Sequence, residues 1–204
     1  MCAKHQDPAF LLLFTCSSPS YACQEPWELV RSLCPDPKLK FVSPIHTESS
    51  RYTWEQATTN ILNPRLIQRK NIDTGTYEKD STLSLVLIAR GSPNSINNSL
   101  IKGSNLTTLE EKLKEVYNTV KWNPFPVDFW FSHEVKLVDR KFATALVNST
   151  IVCDYLETVV HQAGLMYKER AYLHWYERYG CEEDTFKEAF DVTQTIIDSY
   201  VSLK

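Results

Sequence analysis

Few residues of this 204-residue chain have the types and spacing to do chemistry, beginning with the pair His174-Trp175. A histidine can act as a general base or hold a metal. No Cys, Ser or second His stands at a spacing that would build a triad or a metal site around His174, and His161 lies 13 residues away on a different helical phase. His174 is therefore expected to be a packed helix residue. No CxxC occurs, and Cys16 and Cys23 have six residues between them with no histidine nearby, so no zinc or other metal site is expected. Asp128-Phe-Trp130 would suit either an aromatic ligand pocket or the core of a strand, and strand core is the expectation. The five glycines (75, 91, 103, 164, 180) are too scattered to build a phosphate-cradling loop.

Composition sets broad bounds. With 43% hydrophobic and 23% charged residues, the chain can bury a core like an ordinary globular domain. A net charge of −3 gives no electrostatic footprint for nucleic acid, and no apolar run approaches a membrane span. The run Ala9-Phe-Leu-Leu-Leu-Phe14, three N-x-S/T sequons (Asn97, Asn105, Asn148) and six cysteines raise an unrelated secreted binding domain as an alternative. Against it, the apolar run is short and the cysteines form no disulfide-like framework; Cys153, on an apolar helix face, is expected to be a free thiol.

The elements that would position these residues follow from periodicity. A helix is expected over residues 26–34 with Trp27, Val30 and Leu33 on one face, then a strand over 38–43 ended by Pro44. A helix over 54–62, a long polar loop over 63–80, and a buried central strand over 81–91 come next. Thr108 with Glu111 resembles a capping box, and strands are expected over 127–131 and 141–148. Ser149 and Thr150 can cap one long helix over 151–179, with apolar residues recurring at three- and four-residue steps into a single buried stripe. Gly180 suits a left-handed helix end. Glu182, Glu183 and Asp184 suit the start of a second, antiparallel helix.

The stretch Arg170-Ala-Tyr-Leu-His-Trp-Tyr, then Gly180, an acidic turn, Phe186-Lys-Glu-Ala and Tyr200, resembles the C-terminal helical hairpin of the tubulins. Upstream, Trp27-Glu-Leu-Val-Arg-Ser-Leu-Cys-Pro-Asp-Pro-Lys-Leu-Lys-Phe41, Ala89-Arg90-Gly91 and Leu146-Val-Asn-Ser-Thr150 are similar to segments of the same family's second half. Gly180-Cys-Glu-Glu-Asp looks closer to the delta, epsilon and zeta members, and within them to delta or zeta.

The resemblance implies an α+β fold: a two-layer sandwich of mixed sheet and helices, then a C-terminal antiparallel hairpin. It divides the chain into a poorly matched lead-in (1–24), a tubulin-like second domain (25–148) and the hairpin (149–204). It implies a structural component of microtubules or of centriole, basal-body or cilium assemblies, located in the cytoplasm and cytoskeleton. Its partners would be other tubulin subunits and microtubule- or centriole-associated proteins, with no nucleic acid and no membrane. The family's GTP-binding half has no counterpart here, so no cofactor is expected in this chain. GTPase activity would belong to a complete tubulin, of which this chain can alternatively be a fragment. Counting back from Pro35-Asp-Pro37, Glu28 falls where the family places the glutamate that activates water on a neighbour's GTP. Read from the residues alone, Glu28 is a solvated glutamate in a first helical turn.

Overall fold

The computed structural model describes residues 26–49, 54–63, 68–70, 77–91, 105–132 and 141–203. The expected lead-in over 1–24 and the sequon at Asn97 lie outside the described residues. The chain divides into two compact units, Met1–Ser149 and Thr150–Lys204.

The first unit contains α1 (Pro26–Leu33), β1 (Ser43–Ser49), α2 (Trp54–Ile61), β2 (Gln68–Lys70), β3 (Tyr77–Lys79), β4 (Thr82–Arg90), α3 (Asn105–Val116), β5 (Val127–Ser132) and β6 (Lys141–Ser149). Four strands form a mixed sheet in the order β1-β6-β4-β5, in which β6 runs antiparallel to both neighbours and β4 and β5 are parallel. The run Leu83-Ser-Leu-Val-Leu-Ile-Ala89 shows no alternation because both faces of β4 are covered. Leu85, Leu87 and Ala89 face a core shared with Trp54 and Ile61 of α2, and with Leu113 and Tyr117 at the end of α3. Val86 and Ile88 point the other way, toward Leu33 of α1, Trp130 and Leu146. The α+β class holds, with helices on both faces of the sheet.

Several elements depart from expectation for identifiable reasons. The strand near Phe41 begins instead at Ser43 and continues through Pro44. Residues 36–39 are occupied by a turn in which Lys38 N donates to Asp36 Oδ1 (2.8 Å) and Leu39 N to Asp36 O (3.1 Å). Pro44 is tolerated because β1 is an edge strand. Part of the expected loop over 63–80 is a two-stranded ribbon, β2 with β3, whose three-residue strands are too short to show a period. α3 starts at Asn105, so Thr108 and Glu111 lie inside it rather than boxing its start. On α1 the buried side is Leu29 and Leu33, leaving Trp27 and Val30 exposed.

Asn148 is fully buried, and its amide donates to Leu33 O and Leu39 O, both at 2.8 Å. Ser84 Oγ also donates to Leu33 O. This side chain is therefore occupied inside the fold and is not a glycan acceptor, which removes one of the sequons behind the secreted reading. Asn148→Ala is expected to lower unfolding free energy by about 2–4 kcal/mol, because two buried carbonyls each lose a donor; urea denaturation measures it.

The second unit contains α4 (Val152–Lys168), α5 (Leu173–Arg178) and α6 (Glu183–Val201). The expected single helix over 151–179 is broken between α4 and α5. Arg170 N donates to Tyr167 O and Ala171 N to Met166 O, while Arg170 takes φ 51°. This is a Schellman termination carried by a residue other than glycine, so no glycine announces it. Tyr172 is also left-handed (φ 62°) and resets the helical phase. Ile151 holds the N-cap position of α4, with no side-chain cap bond from it. Gly180, at φ 87°, ends α5 with the same bond pattern, Gly180 N to Glu177 O and Cys181 N to Tyr176 O, as its position suggested. Tyr167 rests against Phe186 (5.9 Å) and Phe190 (5.7 Å), setting the end of α4 beside the start of α6 in an antiparallel hairpin. Cys153 is a buried free thiol.

Tyr117, fully buried, donates its hydroxyl to Ile61 O at 2.8 Å. Burial pushes its phenol well above the ordinary value near 10. The unfolded chain releases this proton from about pH 10 while the folded chain keeps it. Its contribution is thus complete below that pH and is lost as pH rises toward the folded value. Tyr117→Phe is expected to cost about 1 kcal/mol at neutral pH and to flatten the loss of stability above about pH 10, read from urea midpoints across that range.

Candidate functional site

The first turn of α1 places Glu28 at the wall of a cleft of about 600 Å³ between α1, β5 and the segment entering β5. Pro26 opens this helix, where a missing N–H costs nothing. Packing of Leu29 and Leu33 against the sheet turns Glu28, Arg31 and Ser32 toward the cleft. Among the described residues the side chains of Glu28 and Arg31 have no hydrogen-bond or ion-pair partner.

The other carboxylate of the cleft is spent. Asp128 Oδ2 accepts from Ser32 Oγ (3.2 Å) and Trp130 Nε1 (2.9 Å), and Oδ1 accepts from Phe129 N (2.8 Å). Asp128 therefore ties α1 to β5. Trp130 is buried against Leu33, Val86, Ile88 and Leu146, as expected for strand core, and it also lines the cleft.

The rim is held from below. Asn123 Nδ2 donates to Leu83 O (2.8 Å), Asn123 Oδ1 accepts from Phe125 N (3.1 Å), and Leu85 N donates to Pro126 O (2.7 Å). These bonds pin the Pro124–Pro126 turn to β4 and hold Phe125 outward at 82% exposure. Among the described residues, the result is a carboxylate and a guanidinium without side-chain partners beside a fixed aromatic edge. A lone carboxylate can orient or deprotonate a water but cannot by itself bind a nucleotide. Among the described residues no group of three or more His, Cys, Asp or Glu side chains could hold a metal ion. No described helix is long and apolar enough to cross a membrane.

His174 is exposed rather than packed. Its ring lies 5.3 Å from that of half-exposed Trp175, over which Arg178 sits at 5.9 Å. The expectation assumed one continuous helical phase, which the left-handed residues at 170 and 172 interrupt. His161 is also exposed. Sequence reasoning missed Arg31 and Phe125. Arg31 follows Glu28 by three positions, one turn along the same helix face, which was a usable signal. Phe125 carries no periodicity between its prolines.

Asp128→Ala is expected to destabilise the first unit by about 2 kcal/mol, since a hydroxyl and an indole N–H lose their acceptor. The denaturation midpoint, and faster exchange of the Trp130 indole proton, would report it.

No protein-family model matches this chain. Its curated relatives include the tubulin beta-2 chain of Suillus bovinus, 26% identical over 180 residues that cover 85% of this chain and 38% of that one. The tubulin delta chain of Canis lupus familiaris is 33% identical over 64 residues, 31% of this chain and 14% of that one. The tubulin alpha-A chain of Neurospora crassa is 30% identical over 92 residues, 38% and 20% of the two. The chain spans well under half the length of the curated relatives it matches.

Proposed function

We propose that this chain, a divergent tubulin-like protein, is a structural subunit that adds to tubulin polymers through the α1–β5 cleft and does not bind GTP itself. The observation that carries this reading is the pair of opposite charges, Glu28 and Arg31, without side-chain partners among the described residues, beside the pinned, outward Phe125 in a tubulin-like chain. A surface with exposed aromatic and Arg anchors around a partly polar cavity fits a protein interface. Its partners on this reading are other tubulin subunits and microtubule- or centriole-associated proteins, in the cytoskeleton and at centrioles or basal bodies. Glu28 would orient the water that attacks a neighbouring subunit's GTP. In phosphoryl transfer such positioning supplies much of the catalysis.

A second reading is favoured by the 38% coverage of the Suillus bovinus chain. In it this sequence is a fragment of a complete tubulin GTPase whose nucleotide-binding portion lies outside it. An in-frame glycine-rich GTP motif in the upstream genomic sequence would establish that reading.

The test is co-sedimentation with polymerising α/β-tubulin, with GTP hydrolysis measured in the same samples. The chain is expected in the polymer pellet, and Glu28→Ala is expected to reduce the hydrolysis it adds by about a hundredfold. Absence from the pellet would overturn the polymer role. Hydrolysis unchanged by Glu28→Ala would reduce Glu28 to a solvated contact residue.

A further inference from the structure

The α1–β5 cleft lies wholly within the first unit and carries its own complement. Glu28 and Arg31 stand three positions apart on α1, so they share one helix face, with Cβ atoms about 5–6 Å apart. They bear opposite signs, and among the described residues neither side chain has a partner. Arg31 is the one cation among the described residues lining the cleft, and Asp128 adds a second carboxylate to that of Glu28. A free anion drawn to Arg31 would therefore meet two carboxylates within the same cleft. The site suits a surface bearing both signs rather than a small ion. Phe125 stands on the rim, 82% exposed and held outward through Asn123. Pro35, Val127 and Trp130 supply the apolar part of the cleft. Each molecule thus presents a fixed aromatic knob and, beside it, a partly apolar socket of about 600 Å³.

We propose that the occupant of this cleft is a second copy of the chain, related to the first by a two-fold axis. In a contact of that symmetry, residue i meets j and j meets i. Two copies of α1 running in opposite directions set Glu28 against the partner's Arg31, and Arg31 against the partner's Glu28. The guanidinium fork matches a carboxylate. Phe125 of each copy enters the cleft of the other, and because it is already pinned it loses little freedom on docking. One sequence supplies both halves of the match. On the polymer reading the same cleft meets another subunit, so the dimer keeps that surface covered; this consequence alone rests on that reading.

Sedimentation velocity of the full chain over a concentration series tests the pairing, with circular dichroism showing that each variant is folded. The chain is expected to pass from monomer to dimer. Glu28→Arg brings two cations together at both contacts, and Arg31→Glu brings two carboxylates together. Each is expected to weaken the dimer by at least about tenfold. An equimolar mixture of these two variants is expected to form a heterodimer at about the original strength, since every contact then joins opposite charges. The double exchange, Glu28→Arg with Arg31→Glu, is expected to restore the homodimer. Phe125→Ala is expected to weaken it about tenfold. A chain that stays monomeric throughout, a dimer indifferent to the charge reversals, or single variants that neither the mixture nor the double exchange rescues would overturn the proposal. Co-sedimentation of a wholly monomeric chain with polymerising tubulin would remove the dimer and leave the polymer role. A dimer that obeys these charge rules but never enters the pellet would remove the polymer role and leave this inference standing.

Discussion

The side-chain amide of Asn148 ties β6 to two carbonyls of the first unit that lie 115 and 109 residues earlier in the chain. It reaches from β6 to the last carbonyl of α1 and to the carbonyl of Leu39 in the turn that follows. A helix end leaves carbonyls without intrahelical donors. Burying one in a core demands a partner, and here Asn148 and Ser84 share that of Leu33. The cost of an unmet buried carbonyl makes the arrangement stringent. α1 is thereby held against β4 and β6, and Glu28 and Arg31 take their positions from it.

Asp128 repeats the device on a smaller scale by joining the middle of α1 to β5. Two carboxylates of one cleft thus have different work because their surroundings differ. The half-buried Asp128 is surrounded by donors and serves the fold, while Glu28 keeps its lone pairs for whatever enters. Residue type alone does not separate them; hydrogen-bond accounting does.

What was legible in the sequence follows the same division. β4, β6 and the Gly180 stop could be read because long apolar runs and a glycine state their own conformation. The start of β1 was misplaced because the burial of Leu39 in an Asp36-centred turn imitates a strand's alternation. The break after Lys168 was invisible because Arg170, an ordinary residue, adopts a conformation usually left to glycine. The exposure of His174 followed from that single error of phase. In the candidate site, Glu28 stood out through resemblance and Arg31 was within reach one turn further along the same helix face, while Phe125 depends on tertiary placement that no local pattern encodes.

The register of the edge strand has a consequence for how the molecule is made. β1 is paired along its length with β6, through partners roughly a hundred residues apart. β4 also takes β6 as its antiparallel neighbour. During synthesis, then, β4 can pair with β5, but β1 has no partner and β4 lacks its antiparallel neighbour until β6 leaves the ribosome. Such non-local pairing makes folding slow and aggregation-prone. Assistance from a folding chaperone would matter most over this interval, before the last strand arrives.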